Sequence, residues 1–481
     1  MGVRARWGWL LVVAAIFAAG ATLSARDGRA DHLHRVQGDD AARTRQGKRP
    51  MNGDVRWRAE SLGGGVAAPA GARGGHSSER SAASTPPAPL RSRIVSWGRG
   101  SWCWFGDPRA VTVVAPRERT FVGWIDWNGR IRVGAYNPHT GARTTVTVGV
   151  LSRDDHGSPA ILVEPDKRLT IFWAGHDGGA MYYRTSRRPE DIHAWGPVHL
   201  VSSQLRDYLG FTYPNPVILP AEHNRLYLFW RGANWSQDFT TRDVDGRWGQ
   251  ARSLITNLGE RPYVKVDSNG RDTIALAFTD AHPGDAVTSI FYMTLRGGWL
   301  RHADGNAIVA LNSTPIAARS ADTVYDADAT GVPAWVWDVA IGRTGHPVIV
   351  YATFPSPSHH IYWYARWTGR AWVSHLLTVG GPTVSPGTLE TEYSGGLALD
   401  HTDPATVYLS RKVRGWFQIE RWTTPDGGHR WVHRTVVRTN GADNIRPVVT
   451  RGSRGGPISL SWLHGHYGFY TTYRTSVDSL G

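Results

Sequence analysis

"RSRIVSW", residues 91–97, is a short strand-like run with nothing beside it to pair with. Upstream, residues 26–90 are rich in Arg, Asp, Gly, Ser, Ala and Pro, as in "GGGVAAPAGARGGHSSERSAASTPPAPL", and read as a disordered linker. Downstream, strand-like runs recur in sets. The second strands align as "TFVGWID", "RLTIFWAG", "RLYLFWRG", "TIALAFTD", "PVIVYAT", "TVYLSRK" and "PISLSWLH". Each follows a first strand such as "SPAILVE" and precedes an aromatic-rich third strand such as "IYWYARW". Units one to six carry a fourth strand, for example "TTVTVGV", but the seventh ends at "YRTSVDSLG" without one. The spare run at 91–97 therefore supplies the missing outer strand and removes an exposed edge. The expectation is an all-β, seven-bladed β-propeller over residues 91–481, closed by its N-terminal strand. A pair of β-sandwiches is the alternative, and it explains neither the repeat nor the orphan strand.

The first 25 residues, "MGVRARWGWLLVVAAIFAAGATLSA", combine two arginines, an apolar run and an A-x-A at Ala19 and Ala21. They read as a signal peptide, with an uncleaved anchor as the alternative, and no later segment is apolar enough for a membrane. The expected location is secreted. Residues 1–92 hold 14 Lys+Arg against 7 Asp+Glu, so half of the formal charge of +14 lies outside the folded part. The remainder is mildly basic, which suits an anionic polysaccharide. No basic helix or RNA-binding signature points to nucleic acid. A single cysteine, Cys103, allows no intrachain disulfide, and between tryptophans it reads as a buried inert thiol. A monomer is expected.

In an up-and-down blade, the start of the first strand and the end of the second share one face, so these positions converge around the channel. They are Asp107 and Arg109, then Asp155, His156 and His176, then Tyr213, Asn215 and Arg231. Arg261, Tyr263 and His282 follow, with Trp337, Asp338, Tyr393 and Arg446 completing the ring. Each has a plainer reading. Asp107 and Arg109 can form a fork that fixes the first blade. Tyr263 can be a core tyrosine, and His282, ahead of a proline, can be structural. His156, His176, Tyr213 and Arg231 come from adjacent blades on one face, the pattern of a site. Asp155, His156 and His176, with His282, are also an alternative zinc set, although no metal-binding spacing accompanies them. "TPDGGHRW", residues 424–431, fits an Asp-box turn and is structural.

"WCWFGDPRA", "DDHGSPA", "AGH", "YPNPV…LYLFWRG", "RPYVK", "FTDAHP", "YSGGLALDHTDP…VYLSRK" and "DNIRPVV" resemble, in order from about residue 93 to 475, the BNR-repeat propeller family that contains ulvan lyases and related rhamnosyl-glucuronate lyases. The resemblance implies a polysaccharide lyase cleaving a glucuronate-containing polymer. It places the catalytic residues at His156, His176, Tyr213, Arg231 and Tyr263. Substrate-binding candidates beside them are Arg109, Asn215, Arg261, His282, Trp337 and Tyr393. The zinc-ligating cysteine and histidines of some relatives have no match here, so no metal is carried over.

Such a lyase removes the C5 proton of a uronate and expels the glycosidic oxygen from C4. The carboxylate must be neutralised so that the developing enolate is stabilised. Arg231 supplies that charge with His176 and Tyr263 as helpers, and His156 and Tyr213 are the acid–base pair. No redox cofactor is required, and the channel admits a structural calcium. The rivals are a neuraminidase-type glycoside hydrolase drawing on Asp107, Asp155 and Asp338, and a non-catalytic carbohydrate-binding propeller, for which the 23 tryptophans speak.

Overall fold

The computed structural model describes residues 94–114, 118–201, 210–257, 260–452 and 458–481. The targeting stretch 1–25, the linker 26–90 and the first three residues of the orphan strand lie outside the described residues. Among those described, the chain forms 31 strands and five short 3-10 turns. They are grouped in seven sheets, one per blade. Blade 1 is Ala110–Val113, Arg119–Ile125, Arg130–Tyr136 and Arg143–Val150, each strand antiparallel to the last. Blade 2 begins at Ala160–Val163, blade 3 at Thr212–Leu219, blade 4 at Tyr263–Ser268, blade 5 at Ala334–Ile341 and blade 6 at Leu397–Leu399. Blade 4 is elaborated: its outer hairpin, Trp299–Arg301 with Ala307–Ala310, leaves room for Asp322–Tyr325 to pair with the third strand.

Blade 7 is the closure. Its strands Asp443–Val449, Leu460–Phe469 and Thr472–Leu480 are completed by Ile94–Arg99, which pairs antiparallel with the last of them from Ile94↔Leu480 to Arg99↔Ser476. The alternation read from "RSRIVSW" decides which face turns inward: Val95 and Trp97 are buried, Ile94 and Ser96 exposed. Trp97 fills the seam between the last blade and the first. Its Nε1 donates to Ser479 Oγ at 2.7 Å, and its ring lies 6.3 Å from that of Trp124 in blade 1. Gly134 makes the space, since a Cβ there would stand 2.4 Å from the indole.

Charged residues tie the inner strands together. Toward the end of the first strand of blade 4 opposite Tyr263, Asp267 accepts from Arg451 Nη1 at 2.7 Å. His401 lies between Asp267 (3.1 Å) and Asp338 (3.0 Å). Blades 4 to 7 are thus linked across the ring. The Asp-box turn of blade 6 is a closed hydrogen-bonded knot: Thr424 Oγ1 accepts from Gly428 N, and Trp431 Nε1 donates to Gly428 O.

Trp97→Ala should remove the seam filler and cost about 3–5 kcal/mol. Thermal unfolding should then begin well below that of the parent chain. An unchanged melting temperature would mean that Ile94–Arg99 is not needed for closure.

Candidate active site

The opening of blade 2 is a one-turn 3-10 segment, Asp155–Gly157, capped by Asp154. Asp154 Oδ1 accepts from the His156 amide at 2.9 Å and faces His156 Nδ1 at 2.7 Å. Its other oxygen lies 3.2 Å from Nδ1 of His176, just past the second strand of the same blade. One carboxylate therefore holds two imidazoles, whose rings stack at 3.8 Å and within 5° of parallel. Tyr470 of blade 7 stands edge-on over both, at 4.7 and 5.4 Å. Burial opposes charge on His156, but the Asp154 carboxylate overrides it and raises its pKa. Burial and the neighbouring His156 lower that of His176. The environment pushes two like groups apart, favouring the proton on His156 and disfavouring it on His176.

Tyr213 enters from blade 3. It stands before Pro214 with φ +61°, at a bulge between Thr212 and Asn215 in the strand pairing. A bulky residue in the left-handed region, ahead of a proline, is uncommon, and a bulge re-aims the side chain it carries. Here it turns the ring inward, to 5.5 Å from His156 and 5.0 Å from the Arg231 guanidinium. Burial holds the Tyr213 pKa well above its ordinary value and pushes the Cys103 thiol up to about 11, so both keep their protons at neutral pH. Arg231 closes the second strand of blade 3, 1 % exposed. Its Nη1 donates to Tyr263 Oη at 2.8 Å and its Nη2 to Asp177 Oδ1 at 2.9 Å. Burial works against its charge, but Tyr263, Tyr213 and Asp177 outweigh it and keep the guanidinium protonated.

His156, His176, Tyr213, Arg231 and Tyr263 thus form one connected cluster. Arg261 and His282 stand at its edge: Arg261 pairs with Asp285, and His282 Nε2 lies 3.3 Å from Glu390. The other four candidates lie in the packing around the cluster. Trp337 stacks on Trp104 at 4.3 Å, and Tyr393 lies edge-on to Trp104. Asn215 pins the bulge by donating to Tyr213 O and Phe105 O. Arg109 donates to Pro159 O and Cys103 O and forms no fork with Asp107, whose carboxylate is taken by Lys265. The expected Asp107–Arg109 pair is corrected accordingly: a buried guanidinium found two carbonyls nearer than a carboxylate. Asp154, Asp177 and Tyr470 also belong to the cluster, beyond the residues that blade geometry picks out. "DDHG" and "HDGG" carried the signal for the two aspartates.

Among the described residues, two groups could hold an ion: Asp154, His156 and His176, and Cys103, Asp155 and His156. The zinc set drawn from sequence changes in both, since Asp154 rather than Asp155 bridges the histidines and His282 is absent. Asp155 instead accepts from Arg446 Nη1 at 2.6 Å and Tyr467 Oη at 2.7 Å.

Asp154→Asn should bring the pKa of His156 down below that of an ordinary histidine, read from ring-proton NMR with His156 and His176 variants for assignment. The linkage has a sign. A raised folded-state pKa stabilises fully below about pH 6.5 and is lost as pH rises through the folded value. The stability advantage of the parent over Asp154→Asn should therefore be largest near pH 6 and shrink above it. A constant difference would mean that Asp154 does not hold the proton on His156.

Residues 119–378 match the BNR repeat-containing family. An ulvan lyase of family PL25 from Pseudoalteromonas sp. (strain PLSV) is 25% identical over 395 residues, covering 69% of this chain and 73% of its own. Among solved structures, the PL25 ulvan lyase bound to -[GlcA(1-4)Rha3S]- superposes with a TM-score of 0.63 at 17% identity, over 81% of this chain and 96% of its own. The polysaccharide lyase Uly1 gives 0.50 at 13% identity, over 79% and 92%. With more than half of its length matched, the chain belongs to the BNR repeat-containing family.

Proposed function

We propose that the chain is a secreted polysaccharide lyase that cleaves a glucuronate-containing polymer, of the rhamnose–glucuronate kind, by β-elimination. The observation that carries this is the buried Arg231 guanidinium, fixed by Asp177 and Tyr263 beside a stacked histidine pair and a protonated tyrosine. A fixed cation with donors around it is what a uronate carboxylate needs as its C5 proton is withdrawn. The C5–H bond breaks toward the unprotonated ring of the His156–His176 pair, the C4=C5 double bond forms, and the C4–O bond breaks. Tyr213, kept protonated by burial, gives its proton to the leaving oxygen. The histidine pair then returns a proton to Tyr213. The activities of the similar lyases agree with this reading. A hydrolase is less well served: Asp107, Asp155 and Asp338 each end in an ion pair, with Lys265, Arg446 and His401.

Tyr213→Phe removes one hydroxyl and should leave the fold intact while lowering kcat by about 10²-fold or more, followed by the ultraviolet absorbance of unsaturated uronate released from ulvan. Arg231→Ala should do the same. New reducing ends without that absorbance would identify a hydrolase, and binding without any cleavage a lectin-like module. Full activity in a stable Tyr213→Phe would remove the tyrosine from the proton path.

A further inference from the structure

Immediately after Arg231 the chain leaves blade 3 in a tight turn, Ala233–Trp235, before re-entering at Gln237. Two consecutive residues in it, Asn234 (φ +49°) and Trp235 (φ +63°), occupy the left-handed region. A single asparagine there is ordinary, but a tryptophan is an outlier, and such strain persists where its surroundings impose it. The turn is tightly built. Gly232 N donates to Ser236 O at 2.8 Å, and a Cβ on Gly232 would meet the Asp238 carboxylate at 2.2 Å. Gln237 Nε2 donates to Pro262 O, anchoring the turn to blade 4. The result is an indole held in the open, 38 % exposed; of the other described tryptophans only Trp299, on an outer strand of blade 4, is as exposed.

Its position is specific. The Trp235 ring lies 5.5 Å from the guanidinium carbon of Arg231 and 5.6 Å from that of Arg261. It therefore overhangs the cation assigned to the uronate carboxylate and bridges to the arginine at the edge of the cluster. Core packing does not account for a strained, solvent-facing indole at that place.

We propose that Trp235 is a sugar-binding platform, stacking against the C–H face of the pyranose unit next to the one whose carboxylate Arg231 receives. This rests on the lyase reading for the identity of the neighbouring unit. Pyranose rings present an apolar face of C–H bonds, and a rigid aromatic face covers it at little entropic cost. The two guanidiniums against the ring fix its plane. The platform holds substrate in register and takes no part in proton transfer.

The test compares Trp235→Ala and Trp235→Phe in the full chain. With ulvan as substrate, Trp235→Ala should raise KM about tenfold with kcat nearly unchanged, and Trp235→Phe should recover most of the loss. Placing Trp235→Ala in the Tyr213→Phe background should weaken ulvan binding by calorimetry by the same factor, which reads the platform without turnover. Unchanged KM and affinity would overturn the proposal. So would a fall in kcat at constant KM, because that identifies a residue that only shields Arg231 from water. If the parent chain yields no unsaturated product, the lyase reading fails by itself, and the calorimetric comparison still decides whether Trp235 binds sugar.

Discussion

Asp155 and Arg446 form an ion pair in which both side chains are about 1 % exposed, and the site is assembled around it. Burying two charges is costly unless the geometry is good and the remaining polar atoms find partners. Here the contacts converge on one atom of each partner: Asp155 Oδ2 also accepts from Tyr467, and Arg446 Nη1 also donates to Trp102 O. Asp155 Oδ1 and Arg446 Nε and Nη2 are buried without a hydrogen-bond partner among the described residues, and the guanidinium lies over the Tyr467 ring at 4.1 Å. The backbone joins in: Asp155 N donates to Tyr470 O, and Cys103 N to Asp155 O. Blade 2, blade 7 and the segment between the closing strand and blade 1 therefore meet at one carboxylate. His156 is its next residue, and Tyr470 shields the histidine stack. Loss of either charge would strand the other in the core and unseat the cluster around His156 with it.

The same backbone device appears on both sides of this pair. Tyr213 and Arg446 each precede a proline, each has positive φ, and each sits at a bulge in the first strand of its blade. A regular strand would alternate its side chains between the two faces of the sheet. The bulge breaks that alternation, allowing a large polar side chain to point into the channel from a strand that otherwise packs against its neighbours. Strain at these two positions is balanced by what they hold, the tyrosine beside Arg231 and the arginine on Asp155.

The ring was legible because seven apolar runs recur with turn residues between them, and because Ile94–Arg99 had no partner nearby. The convergence of His156, His176, Tyr213, Arg231 and Tyr263 followed from blade geometry together with the family resemblance. Individual contacts did not. Adjacent aspartates in "DDHG" look alike on paper, yet one clamps two histidines and the other serves Arg446, a choice made by a 3-10 turn that periodicity does not reveal. Arg109 and Asn215 have the chemistry of substrate ligands, whereas buried carbonyls claim them. Tyr470 and Trp235 come from loops, where neither alternation nor spacing marks a residue. The dipeptides Tyr213-Pro214 and Arg446-Pro447 were the readable trace of the bulges.

Closure by a strand from the front of the folded region also sets an order in time. Trp97 and Ser479, joined by one hydrogen bond, stand 382 residues apart in sequence. During synthesis the strand at Ile94–Arg99 emerges before any blade, and its partner at Thr472–Leu480 emerges after six blades and most of the seventh. Throughout that interval it has an unpaired edge and an unburied tryptophan, a hazard for pairing with other chains. Gly98 and Arg99 make it a poor template for such pairing while leaving it competent for one particular partner. Blades 1 to 6 can form their own sheets as they appear, but the Asp155–Arg446 pair waits for blade 7. The cluster around His156 is therefore completed only after the first strand of blade 7 has been made, and a protein halted earlier would carry its histidines without the arginine that seats them.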